Sequence, residues 1–331
     1  MSDSTATPTR PEGRDGILTR LVTGQTEIDF IGRSRLWLLV VIAILAVSAL
    51  ALLVRGLDFS IEFVGGSSFT VVDADHTLDV EEIEAALTEA GIDETIVQIL
   101  DDGAGAEVST QALSENPDVS EDDVIDVLAE LSGGEVSAST IGPRWGAQIT
   151  EQAVRGLVVF LLLVVVYLSI RFEWRMAVAA IASLAHDMIA SVGLYALTGF
   201  RVSPATVIAF LTILGYSLYD TVVVFDRVDE ETKALSGVST RTYGEVANGA
   251  LNHVLMRSLS TAVTSILPVA VLVAIGFAVT SVATLLDLSL ALFIGMLLGL
   301  YSSVVVAAPL LVWLKEREPK YAELKQRARG A

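Results

Sequence analysis

The chain has 331 residues, of which 53% are hydrophobic and only 18% charged. That balance is typical of a protein that spans a membrane. There is no cysteine, which excludes a disulfide framework, a cysteine-ligated metal and a cysteine nucleophile. The net charge of −19 is unevenly distributed, because the segment from Asp58 to Glu135 contains 22 Asp and Glu residues and no Lys or Arg.

Six long apolar stretches follow one another along the chain. A helix needs about 20 apolar residues to cross the hydrocarbon core of a bilayer, so these stretches predict six membrane-spanning helices. The predicted spans are 36–54, 150–170, 176–200, 202–225, 250–278 and 288–314. We expect the first span to be retained and not cleaved as a signal peptide, because a long segment precedes it and no small-residue cleavage site follows it.

Lys and Arg residues are concentrated in alternate connecting segments. If both termini are cytoplasmic, the cytoplasmic segments 1–35, 171–175, 226–257 and 315–331 contain 17 of the 21 basic residues. Cytoplasmic loops of membrane proteins carry such an excess of Lys and Arg. We therefore expect a cytoplasmic N-terminal segment, a cytoplasmic loop at 226–249, a cytoplasmic C-terminal tail at 315–331, and an extracytoplasmic region at 55–149.

The extracytoplasmic region alternates between strand and helix patterns. Strands are predicted at Ser67–Val72, Thr95–Leu100, Glu107–Leu113 and Glu135–Ile141, and helices at Leu78–Ala90 and Val119–Leu131. Asp101-Asp102-Gly103 predicts a turn between the second and third strands. The resulting order is that of a split βαβ, ferredoxin-like α+β domain. We find no catalytic motif in it.

Asp220 is the only charged residue in the 24 residues from Val202 to Phe225. A carboxylate at the centre of a membrane helix costs about 2.5–3.5 kcal/mol on insertion scales, so such residues usually face a partner group or a water-filled path. The simpler alternative is that Asp220 snorkels or caps, because Asp226 follows six residues later.

Two other spans carry ionisable residues that could work with Asp220. An uncharged run before Arg257 places this residue below the membrane surface, where Asp220 is the available counter-ion; alternatively, Arg257 is an ordinary cytoplasmic anchor. Asp187, next to His186 near the middle of the third span, predicts either a proton-relay member or a hydrogen-bonding hub between spans three and four.

Polar residues follow Arg257 at helical spacing and form a stripe on the fifth span: Ser260, Thr261, Thr264 and Ser265. The stripe either lines a water chain for protons or bonds to its own backbone and eases packing. At the end of the fourth span, Asp226, Arg227 and Glu230 indicate a solvated ion-pair cluster, with a proton exit or a partner contact as the alternative.

Two motifs carry a resemblance to a known family. The first follows span one and contains Asp58-Phe59 and then Gly65-Gly66, separated by Ser60–Val64. The second lies on the fourth span and contains Gly215, Tyr216, Ser217, Asp220, Asp226 and Arg227. With His186-Asp187 and Gly142-Pro143, they resemble the SecF family of accessory subunits of the bacterial Sec translocase, over about residues 35–315. The segment Ser60–Val64 departs from the pattern, because many relatives have the two pairs nearly adjacent.

The resemblance implies one half of a proton-coupled machine of the resistance–nodulation–division (RND) type in the cell membrane. It implies a partnership with SecD, in which the fourth span is expected to face SecD, and contacts with the SecYEG channel, SecA, a YajC-type subunit and unfolded preprotein. We expect no cofactor, metal or nucleic-acid partner, and no enzymatic activity. The alternative is an RND-type small-molecule exporter half, which one small external domain argues against. A membrane hydrolase lacks a supporting motif.

Overall fold

The protein is a six-helix membrane bundle with one small α+β domain after its first long helix. The computed structural model describes residues 28–92, 95–100, 103–110, 113, 119–233, 235, 241–278 and 283–330. Helix α1 (Ser34–Val54) is followed by a short strand, β1 (Asp58–Phe59), and a one-turn helix, α2 (Ile61–Val64). The domain then contains β2 (Gly66–Val72), α3 (Val80–Glu89), β3 (Thr95–Leu100), β4 (Gly105–Thr110), α4 (Glu121–Ser132) and β5 (Glu135–Ile141).

The four longer strands form one antiparallel sheet in the order β3–β4–β2–β5. This order, with α3 and α4 as crossovers, is the ferredoxin-like arrangement that the sequence predicts. Phe69 lies opposite Val108 on one neighbouring strand and opposite Ala138 on the other. The same face packs against Leu87 of α3 and Leu128 of α4, both fully buried. The predicted turn residues Asp101 and Asp102 lie outside the described residues. Strand β4 ends at Thr110, whereas the sequence predicts that it continues to Leu113.

The remaining helices complete the bundle. They are α5 (Pro143–Arg171), α6 (Trp174–Thr198), α7 (Pro204–Lys233), α8 (Tyr243–Ala278) and α9 (Ala283–Ser302), with a short strand β6 (Arg201–Val202) between α6 and α7. The sixth span continues from α9 through a π-helix (Ser303–Ala307) into α10 (Ala308–Lys315), and α11 (Pro319–Gly330) follows it. Helix α6 and the sixth span are more than half buried, whereas α1, α5 and α8 are mostly exposed. The centre of the bundle is therefore α6, α7 and the sixth span.

Three helices extend well beyond the apolar stretches that predict them. Helix α5 begins at Pro143, before the predicted start at residue 150. Helix α7 continues to Lys233, because ion pairs one turn apart support its polar end: Arg227 with Glu230 and Glu231, and Lys233 with Asp229. Helix α8 begins at Tyr243 because Thr242 and Glu245 form a reciprocal N-terminal cap, with bonds of 2.8 and 3.2 Å. The segment between α7 and α8 is shorter than the expected loop at 226–249.

Both ends of the described chain lie against the same end of the bundle. The side-chain amides of Asn248 and Asn252 on α8 bind the backbone of Ile28, at 2.9 to 3.0 Å. On the other side, Tyr321 of α11 packs against Tyr243, with the two rings tilted and their centroids 4.7 Å apart. Lys315 is buried there and pairs with Glu173 and Glu318. Arginine side chains also stack on aromatic rings at this end of the bundle, as Arg317 does on Trp313.

Arg201 joins the α+β domain to the opposite end of the bundle. Strand β6 pairs in parallel with β1, with Asp58 opposite Arg201. The Arg201 guanidinium forms an ion pair with Glu107 of β4 and lies 3.9 Å from Asp58. All three side chains are largely buried. Burial raises the pKa of Asp58; the Arg201 charge opposes this shift and the Glu107 charge adds to it.

We expect Arg201→Met to destabilise the protein by about 3 kcal/mol, because it leaves two carboxylates at the junction without their cation. The midpoint of thermal unfolding of the detergent-solubilised protein should fall by several degrees. The loss should be smaller at acid pH. Because folding raises the pKa of Asp58, this carboxyl group stabilises the folded state at pH values below its unfolded pKa of about 3.9. That stabilisation is lost as the pH rises through the pKa of the folded state.

The matched control for this substitution is Arg155→Met. Arg155 pairs with Glu151 on the exposed surface of α5, so its loss should change stability by less than about 0.5 kcal/mol. Equal losses in the two variants would show that Arg201 is an ordinary surface cation.

Candidate functional site

A cluster of buried polar side chains lies where α6, α7 and the sixth span meet. Helix α6 contributes His186 and Asp187, which are 3% and 1% exposed. Helix α7 contributes Ser217 and Asp220, of which Ser217 is fully buried and Asp220 is 9% exposed. Ionisable side chains inside a membrane bundle are rare and usually functional, so we take the cluster around His186, Asp187 and Asp220 as the candidate site.

Asp187 accepts hydrogen bonds from two other helices. The Ser217 hydroxyl on α7 donates to Asp187 Oδ2 at 2.5 Å, and the Ser302 hydroxyl on the sixth span donates to the same oxygen at 2.8 Å. The other oxygen lies 3.1 Å from His186 Nδ1. Asp187 therefore connects three helices. The hydrogen-bonding hub considered from the sequence would have joined only spans three and four. Its role in a relay stays a prediction.

His186 is itself fixed by the sixth span. Tyr301 Oη lies 2.7 Å from His186 Nε2, and the two rings meet edge to face with centroids 5.5 Å apart. If Tyr301 donates to Nε2, the proton of a neutral His186 lies on Nδ1, facing Asp187. The tyrosine then sets the imidazole tautomer as well as its orientation.

Asp220 binds a hydroxyl and not a cation in this structure. The Ser303 hydroxyl donates to Asp220 Oδ2, and the Ser258 hydroxyl of α8 faces the same carboxyl group. Ser258 Oγ is buried and has no hydrogen-bond partner among the described residues. Asp220 thus lies among hydroxyl groups from two helices.

The predicted ion pair between Asp220 and Arg257 is not formed. Arg257 is exposed, and no carboxylate of the described residues lies within 4.0 Å of its guanidinium group. Position 257 does lie at a similar depth to Asp220, because the neighbouring Ser258 faces that carboxyl group. The orientation around the helix is different: a step of one residue turns the side chain by about 100°, which directs Arg257 to the outer surface of α8.

The contribution of the sixth span was not predicted from the sequence. Tyr301, Ser302 and Ser303 are consecutive, and they bind His186, Asp187 and Asp220, in that order. They lie where α9 passes into the π-helix, and π-helical turns often occur at functional sites. A signal was present, because these three hydroxyl groups interrupt a long apolar run.

Two glycines allow the sixth span to approach α7. A Cβ atom on Gly295 would lie 2.2 Å from Ile213 Cδ1, and one on Gly299 would lie 3.0 Å from Ser217 Cβ. Glycines at this spacing permit close packing of helices, and such packing is present here. It brings Ser302 and Ser303 within hydrogen-bonding distance of the carboxyl groups.

The polar stripe on α8 lies mostly on its outer surface. Ser260 and Thr264 are exposed, and Thr261 is partly exposed. Thr264 donates to its own backbone, with the carbonyls of Ser260 and Thr261 at 3.0 Å. Ser265 is partly buried and faces Tyr216 of α7. The structure thus gives Thr264 the backbone-bonding arrangement.

The remaining motif residues lie at three places. Gly65 has a φ of 79° and Gly66 a φ of 147°, and a Cβ on Gly66 would lie 2.5 Å from the Thr110 carbonyl, so the pair fixes the start of the sheet. Gly215 faces open space on α7. At the far end of that helix, Asp226 pairs with Arg171 at 2.7 Å, so the expected ion-pair cluster is present.

Within the described parts of the chain, no group of three or more His, Asp or Glu side chains is arranged to hold a metal ion. The chemistry that the cluster offers is that of hydroxyl groups, carboxyl groups and one imidazole. A hydroxyl group both donates and accepts, so it can bond a carboxyl group with or without its proton. The cluster is therefore suited to proton binding and release.

The chain is similar to proteins that are named translocase subunits. The family described as "Protein export membrane protein SecD/SecF, C-terminal" matches residues 124–317. The protein translocase subunit SecF of Streptomyces coelicolor is 43% identical over 93% of this chain and 82% of that protein. The protein translocase subunit SecDF of Thermus thermophilus is 32% identical over 87% of this chain and 39% of that protein.

A solved structure shares the fold. The crystal structure of SecDF from Thermus thermophilus, described as a translocon-associated membrane protein, superposes with a TM-score of 0.78 at 29% identity. The match covers 91% of this chain and 42% of the SecDF chain. A structure of SecDF in a super-membrane-facing form gives a TM-score of 0.64, with 92% and 40% covered. The chain thus spans about two fifths of these longer relatives.

We expect Gly295→Ala to destabilise the bundle by about 1–3 kcal/mol, because the added Cβ overlaps the Ile213 side chain. Gly156→Ala on α5 is the matched control: it gives the same gain in helix propensity, and nothing lies within 4 Å of its Cβ position. Thermal unfolding measures both. Adding Ile213→Ala should recover part of the loss in the Gly295 variant, and the absence of any recovery would argue against the packing explanation.

Proposed function

Because the chain belongs to the SecF family of protein translocase subunits, we propose that it pairs with SecD and uses proton movement to promote the export of preproteins. The observation that carries the proposal is the pair of buried acids, Asp187 and Asp220, held by hydroxyl groups at the centre of the bundle. A carboxyl group is kept in such a place at a free-energy cost, which suggests that its ability to bind a proton is used.

The partnership with SecD is supported by the fused relatives. SecDF proteins of Thermus thermophilus and Bacillus subtilis are matched over 39% of their length. In those proteins a single polypeptide contains the SecF-like part and a longer remainder. We propose that a separate SecD chain supplies that remainder here, and that the complex works with the SecYEG channel, SecA, a YajC-type subunit and unfolded preprotein.

The topology that we propose has both termini in the cytoplasm and the α+β domain outside. Basic residues such as Arg171, Arg175 and Arg317 lie at the end of the bundle opposite the domain, and each stacks on an aromatic ring. Aromatic and basic side chains of this kind lie at membrane–water interfaces, and basic residues favour the cytoplasmic side.

We propose that SecD covers a surface shared by α7 and α8. Ile208, Thr212, Gly215 and Tyr219 are exposed and recur at helical spacing on α7. The exposed part of the polar stripe, with Arg257, lies on the neighbouring α8. Lipid is a poor environment for a guanidinium group, so a protein partner or a water-filled path is the better match for this surface.

Proton coupling would use Asp220 in two alternating environments. In the arrangement seen here the carboxyl group is bonded to Ser303, and Arg257 faces outward. In a second arrangement Arg257 turns to form the ion pair with Asp220 that is predicted from the sequence, and the carboxyl group gives up its proton. The membrane potential contributes about 2.3 kcal/mol per charge per 100 mV, which is enough to bias such an equilibrium.

Proton exchange at Asp220 is tested with Asp220→Asn in the complex with SecD. We expect the variant to insert and to bind SecD, but to lose the part of preprotein export that a proton gradient stimulates. Arg257→Met should show the same defect. The measurement is translocation into vesicles that contain SecYEG and SecA, with and without the gradient.

The matched control for Asp220→Asn is Asp226→Asn, six residues further along the same helix. Its carboxylate pairs with the half-exposed Arg171, so we expect a mild effect. Stimulation at the wild-type level in Asp220→Asn would rule out the proposed coupling.

The proposed SecD surface is tested by placing single cysteines along α7, because the natural chain has none. Cysteines at Ile208, Thr212, Gly215 and Tyr219 should form cross-links to SecD, and those at the buried Ile213 and Val224 should not. The yield should therefore vary with a period of about 3.6 residues. Uniform cross-linking, or none along the whole helix, would exclude this surface.

A further inference from the structure

We propose that Ser302 and Ser303 are two-position hydrogen-bond partners, which keep Asp187 and Asp220 bonded in both of their protonation states. In one position each serine donates its proton to the carboxylate. In the other it accepts the proton of the neutral carboxyl group and donates its own proton to a backbone carbonyl. This inference rests on the proposed proton coupling and assigns a new role to the sixth span.

The distances provide both positions without movement of the helix. Ser302 Oγ lies 2.8 Å from Asp187 Oδ2 and 3.3 Å from the carbonyl oxygen of Gly299. Ser303 Oγ contacts Asp220 Oδ2 and lies 3.2 Å from the carbonyl oxygen of Leu300. Each hydroxyl group therefore has two acceptors, one on another helix and one three residues back on its own.

A serine hydroxyl has only one proton, so it cannot donate to both acceptors at once. When the acid is ionised, the serine proton is best placed on the carboxylate, because hydrogen bonds to charged groups are the stronger ones. When the acid binds a proton, the carboxyl O–H points at the serine oxygen, and the serine O–H rotates to the carbonyl. Only the O–H bond of the acid is formed or broken, and the serine keeps its proton.

The surroundings favour this use of the two serines. Both are fully buried, so water cannot replace a missing partner, and an unsatisfied buried polar group costs about 1–3 kcal/mol. Asp220 has no cation within 4.0 Å among the described residues, so no fixed ion pair selects one protonation state. The π-helix begins at Ser303. The change of helical register there directs two adjacent hydroxyl groups at acids on two different helices.

The test uses Ser302→Ala and Ser303→Ala in the complete complex with SecD. Each substitution removes both the donor and the acceptor, and we expect the gradient-stimulated part of export to fall about tenfold. Ser302→Thr and Ser303→Thr retain the hydroxyl group and should recover most of the loss. The control is Ser289→Ala, because Ser289 is a buried serine on the same span that bonds its own backbone, at Leu286, and no carboxylate.

A second measurement separates hydrogen bonding from packing. Infrared difference spectra recorded on acidification should show the carbonyl band of protonated Asp220, which is identified by its loss in Asp220→Asn. In Ser303→Ala this band should move to higher frequency, because the carboxyl group loses its hydrogen-bond partner, and in Ser303→Thr it should return. A purely structural role of Ser303 would not move the band.

The outcomes distinguish this inference from the proposed function. If Asp220→Asn abolishes gradient stimulation while both alanine variants keep it and the band is unchanged, the two-position role is wrong and proton coupling stands. If Asp220→Asn keeps full stimulation, the proposed coupling is wrong. The infrared band alone then decides whether Ser303 bonds the protonated acid. Loss of stimulation with a shifted band, recovered by threonine, supports both.

Discussion

The structure depends on the burial of carboxyl groups inside an apolar helix bundle. An acid in such a place must be hydrogen-bonded, or its helix would not remain in the membrane. Asp187 and Asp220 satisfy this requirement through hydroxyl groups, which bring α6, α7 and the sixth span together. The glycines that let the helices approach, and the π-helix that directs the serines, follow from the same need. The polar centre of the bundle is therefore also what orders its helices.

Much of the architecture could be predicted from the sequence, because it depends on composition and period. Six apolar runs give six helices, and alternating patterns give the βαββαβ order. The ends of the helices were less predictable. The cap formed by Thr242 and Glu245, and the ion pairs that extend α7 to Lys233, lie in polar segments where a hydropathy pattern carries no information. Local polar contacts decide these boundaries.

The acids and the histidine of the site could be picked out from the sequence, but their pairing and the hydroxyl groups of the sixth span could not. Asp220, Asp187 and His186 stand out because they are ionisable residues in apolar runs. Their depth along a helix can be estimated from residue counts, but the direction of a side chain around the helix depends on packing. One position along α8 separates the exposed Arg257 from Ser258, which faces Asp220. The serines of the sixth span could not be assigned partners, because a π-helix changes the angular relation that an α-helical count assumes.

The uneven distribution of charge has a practical consequence for chemical labelling. The lysines of the chain are Lys233 on α7 and Lys315, Lys320 and Lys325 near the C-terminus, all at the end of the bundle opposite the α+β domain. The domain has neither Lys nor Arg from Asp58 to Glu135. A membrane-impermeant amine reagent would find side-chain targets on one face of the membrane only. Trypsin on the other face would find no cleavage site within the sheet, so the domain would be released whole or not at all.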